Sequence, residues 1–242
     1  MRASPKIGEA AAGHPFNQEP PSPSGGGFFR NDSTNLTDMP ERVKRLPRDH
    51  RGFPIPWFVH FRDGEPDFRV IAPRKLRDAF NTPRCWICGE RLGVHRVYVI
   101  GPMCLVNRVT SEPPSHRDCA KFAARACPFL TRPRMRRNEK DLPAGRTMAG
   151  LHIDRNPGCV CLYETLRVKP FRAGAGTLFR LGEPLRVDWW AEGRQATRAE
   201  VLASIDSGYP ILLATATRYD GPEGVADLKR MRDAAMPLLP AA

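Results

Sequence analysis

The 242-residue sequence has no apolar run near the roughly 18 residues that a membrane-spanning helix requires, which excludes an integral helical membrane protein. Its first thirty residues lack the apolar stretch of a secretory signal, so an ordinary exported protein is not expected. No internal repeat is visible, and although Pro (25) and Gly (20) are abundant, they follow no collagen-like period. Hydrophobic residues make up 41% of the chain, enough for a real core.

Acidic residues are scarce in one place only. Residues 51–140 carry 18 basic and 8 acidic side chains, whereas 1–50 carry 7 and 6, and 141–242 carry 13 and 12. The formal net charge of +12 therefore belongs almost wholly to the middle of the chain. A localised basic surface favours polyanions, because contact releases their condensed counterions. A solvated basic face of a chain that simply uses Arg heavily (31 of its 38 basic residues) is the alternative. Within the segment, Arg132, Arg134, Arg136 and Arg137 form the densest basic run and are the candidate contacts for DNA or RNA.

Residues 1–46 hold six prolines and the run Ser22-Pro23-Ser24-Gly25-Gly26-Gly27 without helical or strand periodicity, and read as a disordered leader. A β-hairpin and cysteine-bearing module is expected over 47–130, a basic linker over 131–150, and a small α+β lobe over 151–242. Asp63-Gly64 between two apolar runs predicts the hairpin, and Pro73 opens a short helix. In the last third, Val160–Tyr163, Leu178–Leu181 and Arg186–Trp190 read as strands, with at least one of Trp189 and Trp190 expected exposed. Thr197-x-x-Glu200 reads as a capping box opening a helix that Gly208 stops and Tyr209-Pro210 restarts. A last amphipathic helix carries Val225, Leu228, Met231 and Ala235 on one side. The class is α+β.

Seven cysteines, an odd and clustered set, argue for reduced thiols in the cytoplasm and against a disulfide framework. Cys85-x-x-Cys88-Gly89 and His116-x-x-Cys119 supply the four tetrahedral ligands that zinc prefers. A C-x-x-C turn points two sulfurs at one centre, and Gly89 lets the chain fold back over them. Pro113-Pro114 stops helix before Ser115, which with Asp118 reads as an N-cap, placing His116 and Cys119 on one face of the first turn. Between the pairs, Val94–Ile100, a Gly101-Pro102 turn and Leu105–Val109 read as a hairpin. Knuckle, hairpin and helix start together resemble the treble-clef zinc modules over about 83–130. The wider string, including Ile100–Cys104, Asn107-Arg108, Glu112–Cys119, Ala126–Leu130 and Ala191–Arg194, is similar to a group of bacterial proteins whose resemblance implies no activity.

Four protein ligands close a zinc site, whereas hydrolytic zinc keeps a position for water. The sequence therefore points to structural zinc in a nucleic-acid-binding or protein-interaction adaptor module. The enzymatic alternative is a metal-dependent hydrolase or nuclease of HNH-like type, with His95 and Asn107 as candidates although the usual Asp-His strand motif is missing. A zinc nucleobase deaminase would need the His and Cys motifs in the opposite order. Cys104 as a nucleophile with His95 as its base is a third enzymatic option. Cys127, Cys159 and Cys161 are expected in the core, and Trp86 over the knuckle, either covering it or offering a stacking surface.

Overall fold

A computed structural model describes residues 38–132, 157–173 and 176–241. It is a mixed α+β structure of three antiparallel sheets with two C-terminal helices. Among the described residues no helix is long and apolar enough to cross a membrane.

The first sheet is the expected hairpin. Strands β1 (Val59–Arg62) and β2 (Glu65–Ile71) pair with Arg62 opposite Glu65. Asp63 and Gly64 both have positive φ (52° and 85°), the geometry of the turn whose twist matches paired strands. Helix α2 (Pro73–Asn81) follows with its proline in the first turn, where an absent N–H costs nothing.

The central sheet has four strands in the order β3 (Arg96–Ile100), β5 (Val160–Thr165), β8 (Arg186–Ala191) and β9 (Arg194–Gln195). Alternation assigns its two faces. Tyr98, Ile100, Cys161, Tyr163 and Trp189 share one face with the largest core, built with Val201, Ile205 and Leu228 from helices α6 (Arg198–Tyr219) and α7 (Gly221–Ala235). Val97, Val160, Leu162 and Trp190 share the other with Ala120 and Ala124 of α4 (Arg117–Ala126). All six residues of β5 are buried, as a strand covered on both sides must be. The third sheet orders β4 (Val109–Thr110), β7 (Gly176–Leu181) and β6 (Val168–Ala173), with β6 at its edge.

Four expectations change. The hairpin between the ligand pairs does not form: β3 is followed by helix α3 (Pro102–Asn107), and β4 pairs with β7 instead. Pro102 is well placed in the first turn of a helix, and Met103, Leu105 and Val106 bury against the C-terminal helices, so packing outweighs the strand propensity of a short apolar run. On the side toward α4, β3 meets Ser115, which exchanges both backbone hydrogen bonds with Val97 (2.7 and 3.1 Å). The capping box of Thr197 and Glu200 forms, but the helix it opens runs unbroken through Gly208 and Pro210 to Tyr219. Burial of Ile205, Gly208, Tyr209 and Ala216 along its inner side holds it together across the proline. Both Trp189 and Trp190 are buried, because the sheet is covered on each face. Finally, Pro40 is followed by a helical turn, α1 (Glu41–Lys44), so the end of the segment expected as leader is folded. Residues 1–37 and most of the expected linker lie outside the described residues.

Candidate metal centre

The local chain path explains the knuckle. Gly89 N–H donates to the Cys85 carbonyl (2.8 Å) and Cys85 N–H to the Glu90 carbonyl (2.8 Å), closing a tight turn around the first cysteine pair. Gly89 has φ +78°, and a Cβ there would lie 2.4 Å from the Trp57 ring, so both conformation and space require glycine. Trp86 is buried, stacked on Phe58 at 4.8 Å with edge contact to Trp57, and serves as a cover for the turn.

The second pair sits where the Val97–Ser115 bridge ends and α4 begins. His116, not Ser115, is the N-cap residue, in extended conformation (φ −65°, ψ 151°). Pairing with Val97 fixes the Ser115 backbone as strand, which moves the cap one position along. No side chain caps the helix by hydrogen bond, and Asp118 instead accepts from the Cys119 N–H (2.9 Å) and faces Arg42 (3.4 Å). His116 and Cys119 remain three apart on one face, as the spacing requires.

The three sulfurs and an imidazole nitrogen, from Cys85, Cys88, His116 and Cys119, all lie within 4.8 Å of one another. A tetrahedral zinc with bonds of about 2.3 Å to sulfur and 2.0–2.1 Å to nitrogen would separate its ligands by roughly 3.5–3.8 Å. Cys88 Sγ and His116 Nδ1 are 3.4 Å apart, already at that spacing. The other imidazole nitrogen, Nε2, is 3.1 Å from the Arg91 carbonyl. Donation from Nε2–H to that carbonyl leaves Nδ1 with its lone pair toward the sulfurs, the tautomer a metal ligand needs. The Cys85 sulfur accepts backbone N–H from Cys88 (3.5 Å) and His116 (3.4 Å), contacts that favour thiolate. Cys85 is held far below the ordinary thiol range by hydrogen bonds from Cys119 and Cys88, while Cys119, the principal donor, is pushed far up. Four donors brought together in this way make a group that could hold a metal ion.

The surroundings are dry on one side and ionic on the other. Met39 and Val43 from the α1 region, with Ile87, Leu92, Phe122 and Ala126, enclose the three cysteines. Next to His116, Arg117 reaches across to the central sheet, its Nε 2.9 Å from Glu164 and a terminal nitrogen 2.5 Å from Asp188. His95 Nδ1 meets the other Glu164 oxygen at 2.7 Å. Burial alone would raise the Glu164 carboxyl, but Arg117 and His95 outweigh it and hold it below its usual range. This network and the α1 contribution were missed in the sequence. Met39 and Val43 are four apart, a helical spacing too short to register, and Glu164 sits inside an otherwise apolar strand.

The remaining candidates separate from the centre. Among the described residues no other group of three or more metal-ligating side chains converges. Asn107 accepts the Val109 N–H (2.9 Å), closing the turn after α3. Cys104 lies on α3, and burial pushes its thiol up to about 11, which disfavours a nucleophile. Cys159 and Cys161 pack in the main core, and burial raises Cys127. Arg132 is exposed just beyond α5 (Pro128–Thr131), while Arg134, Arg136 and Arg137 lie outside the described residues. Compared with protein-family models, curated proteins and solved structures, the chain matches none.

Proposed function

We propose that the chain is a structural-zinc protein whose basic surface binds nucleic acid. One zinc ion would be held by Cys85, Cys88 and Cys119 as thiolates and by Nδ1 of His116, in a treble-clef-like arrangement whose second hairpin arm is reduced to Ser115. The observation that carries this reading is the convergence of exactly those four donors with His116 Nε2 anchored on the Arg91 carbonyl. Four protein donors fill a tetrahedral shell, so the ion would serve to fold the chain and not to activate water. All seven cysteines are free thiols, which suits a reducing compartment such as the cytoplasm.

The excess of basic side chains between residues 51 and 140 supports a polyanionic partner. An HNH-like hydrolase finds less support: His95 is engaged with Glu164, and Asn107 serves a turn.

Two measurements test the reading. Native mass spectrometry should find one zinc per chain, with the three ligand thiols protected from a mild thiol reagent until a chelator is added. His116→Ala should lower zinc affinity at least tenfold. Metal-free protein with Cys85, Cys88 and Cys119 freely reactive would refute the structural-zinc reading.

A further inference from the structure

On the face of the central sheet that carries the largest core, β3 and β5 set four polar side chains in two facing pairs, Arg96 opposite Thr165 and Tyr98 opposite Tyr163. The two on β5 are satisfied by the loop after β7. The Tyr163 hydroxyl donates to the Gly182 carbonyl (2.6 Å), and that of Thr165 to the Glu183 carbonyl (2.9 Å). The two on β3, the outer strand of the sheet, are not satisfied. Tyr98 is 1% exposed, yet its hydroxyl has no hydrogen-bond partner, and the Nε of Arg96 is likewise buried without one. Side chains two apart on a strand point to the same face. The Arg96 guanidinium comes close enough to the Tyr98 hydroxyl to offset in part the upward push that burial gives the phenol.

Both groups are donors in want of an acceptor. A guanidinium carries N–H groups alone, so it cannot receive the Tyr98 proton, and that proton stays unplaced even where an Arg96 N–H points at the phenol oxygen. Leaving a buried donor without an acceptor is costly, most of all for a charged one. Other partly buried arginines escape this cost through carboxylates, Arg108 with Glu183 and Arg117 with Glu164 and Asp188. Among the described residues no carboxylate pairs with Arg96. Water would accept from Tyr98 but would leave the cation uncompensated beside apolar groups such as Phe179, whose ring lies 6.1 Å from that of Tyr98. An anion supplies the acceptor and the counter-charge together. The edge of a guanidinium matches two oxygens of a carboxylate or phosphate, and such bonds strengthen in a poorly hydrated setting.

We propose that Arg96 and Tyr98 form a binding site for one small oxyanion, a carboxylate or phosphate group, which accepts from Nε–H of Arg96 and O–H of Tyr98. The enclosure of Tyr98 restricts the ligand to an inorganic oxyanion or the oxyanion end of a small molecule. Glu164, which alternates with Tyr163 and Thr165, faces the other side of the sheet, so the site is separate from the network beside the metal centre. It goes beyond the zinc and nucleic-acid reading and depends on neither.

The test follows thermal unfolding of the full-length protein in sodium phosphate, sodium acetate and sodium chloride at matched pH and ionic strength. Phosphate or acetate should raise the midpoint saturably above that in chloride, and the larger rise identifies a tetrahedral or a planar oxyanion. Tyr98→Phe, which removes the hydroxyl alone, should weaken the apparent affinity several-fold while unfolding no earlier than the wild type in chloride. Arg96→Met, which keeps an apolar stem, should abolish the response. Unaltered circular dichroism would show both variants folded. Equal midpoints in the three salts, or a response that survives both substitutions, would overturn the site. A Tyr98→Phe protein destabilised equally in every salt would also overturn it, because the hydroxyl would then be bonded to water or protein and not to the anion.

Discussion

Removing the metal should unfold one identifiable part of the molecule before the rest. The ordered chain that depends on the centre comprises residues 38–46 and 83–92, together with the first turn of α4. Five large apolar side chains are buried there besides the ligands: Met39, Val43, Trp86, Ile87 and Leu92. At about 1.5–3 kcal/mol each, they contribute roughly 11 kcal/mol. Ordering 38–46 and 83–92 costs roughly 28 kcal/mol in conformational entropy. Apolar packing therefore meets less than half of the cost, and a structural zinc, with an apparent ~10–16 kcal/mol, brings the two sides to near balance. A strong chelator should thus release α1 and the knuckle while the central sheet persists, because β5 draws its burial from both covering layers. Hydrogen exchange resolves this by residue. The Cys88 and His116 amides, both bonded to the Cys85 sulfur, should lose protection on chelation, whereas those of Val160–Thr165 should keep theirs. Trp86 fluorescence should shift to the red as its stacking on Phe58 is lost. Unchanged protection at Cys88 and His116 in metal-free protein would show that apolar packing suffices and that the reasoning is wrong.

Two further predictions concern the elements around the centre. Arg117 and His95 hold the Glu164 carboxyl below the usual carboxylate range against the opposing effect of burial, so its contribution to stability is present above the ordinary value and is lost as the pH falls through the lower folded-state value. Glu164→Gln should cost about 1.5–3 kcal/mol at pH 7 and make urea midpoints less sensitive to pH below about 4.5, and an unchanged acid dependence would refute the assignment. Pro210 lies exposed inside α6 and leaves the Asp206 carbonyl without its helical donor. Pro210→Ala should raise stability by about 1–3 kcal/mol in thermal melts, and a loss of stability would mean that the helix relies on a bend at that point.

The clustering of Cys85, Cys88, His116 and Cys119 was legible because its chemistry is local. Two C-x-x-C-type spacings, a glycine that folds the chain back, and two prolines that delay a helix act over a few residues each. The hairpin at Asp63-Gly64 and the cap at Thr197 were legible for the same reason. What failed depends on partners far away in sequence. Residues 102–107 are apolar and short, and nothing within them reveals that α6 and α7 wait to receive a helix there. Gly208 and Pro210 are valid stop signals in isolation, overridden by the burial of Ile205, Tyr209 and Ala216. Trp190 looked exposable until α4 was placed over it, and Lys121 of that helix lies 5.9 Å from its ring.

The position of α4 has a consequence for how the chain is made. One side of this helix bears Cys119 and is complete once residue 119 has been synthesised, since Cys85, Cys88 and His116 precede it. Its other side, with Ala120 and Ala124, is covered by Leu162 of β5 and Trp190 of β8. At roughly 5–20 residues per second, the ribosome needs about 3–13 s to reach Trp190 after finishing Ala124. During that interval a metal-loaded nascent chain would present a bare apolar helix face and an unpaired β3. Early metal capture would shorten the search that follows, because it fixes α4 and β3 in the relative orientation onto which β5 must dock.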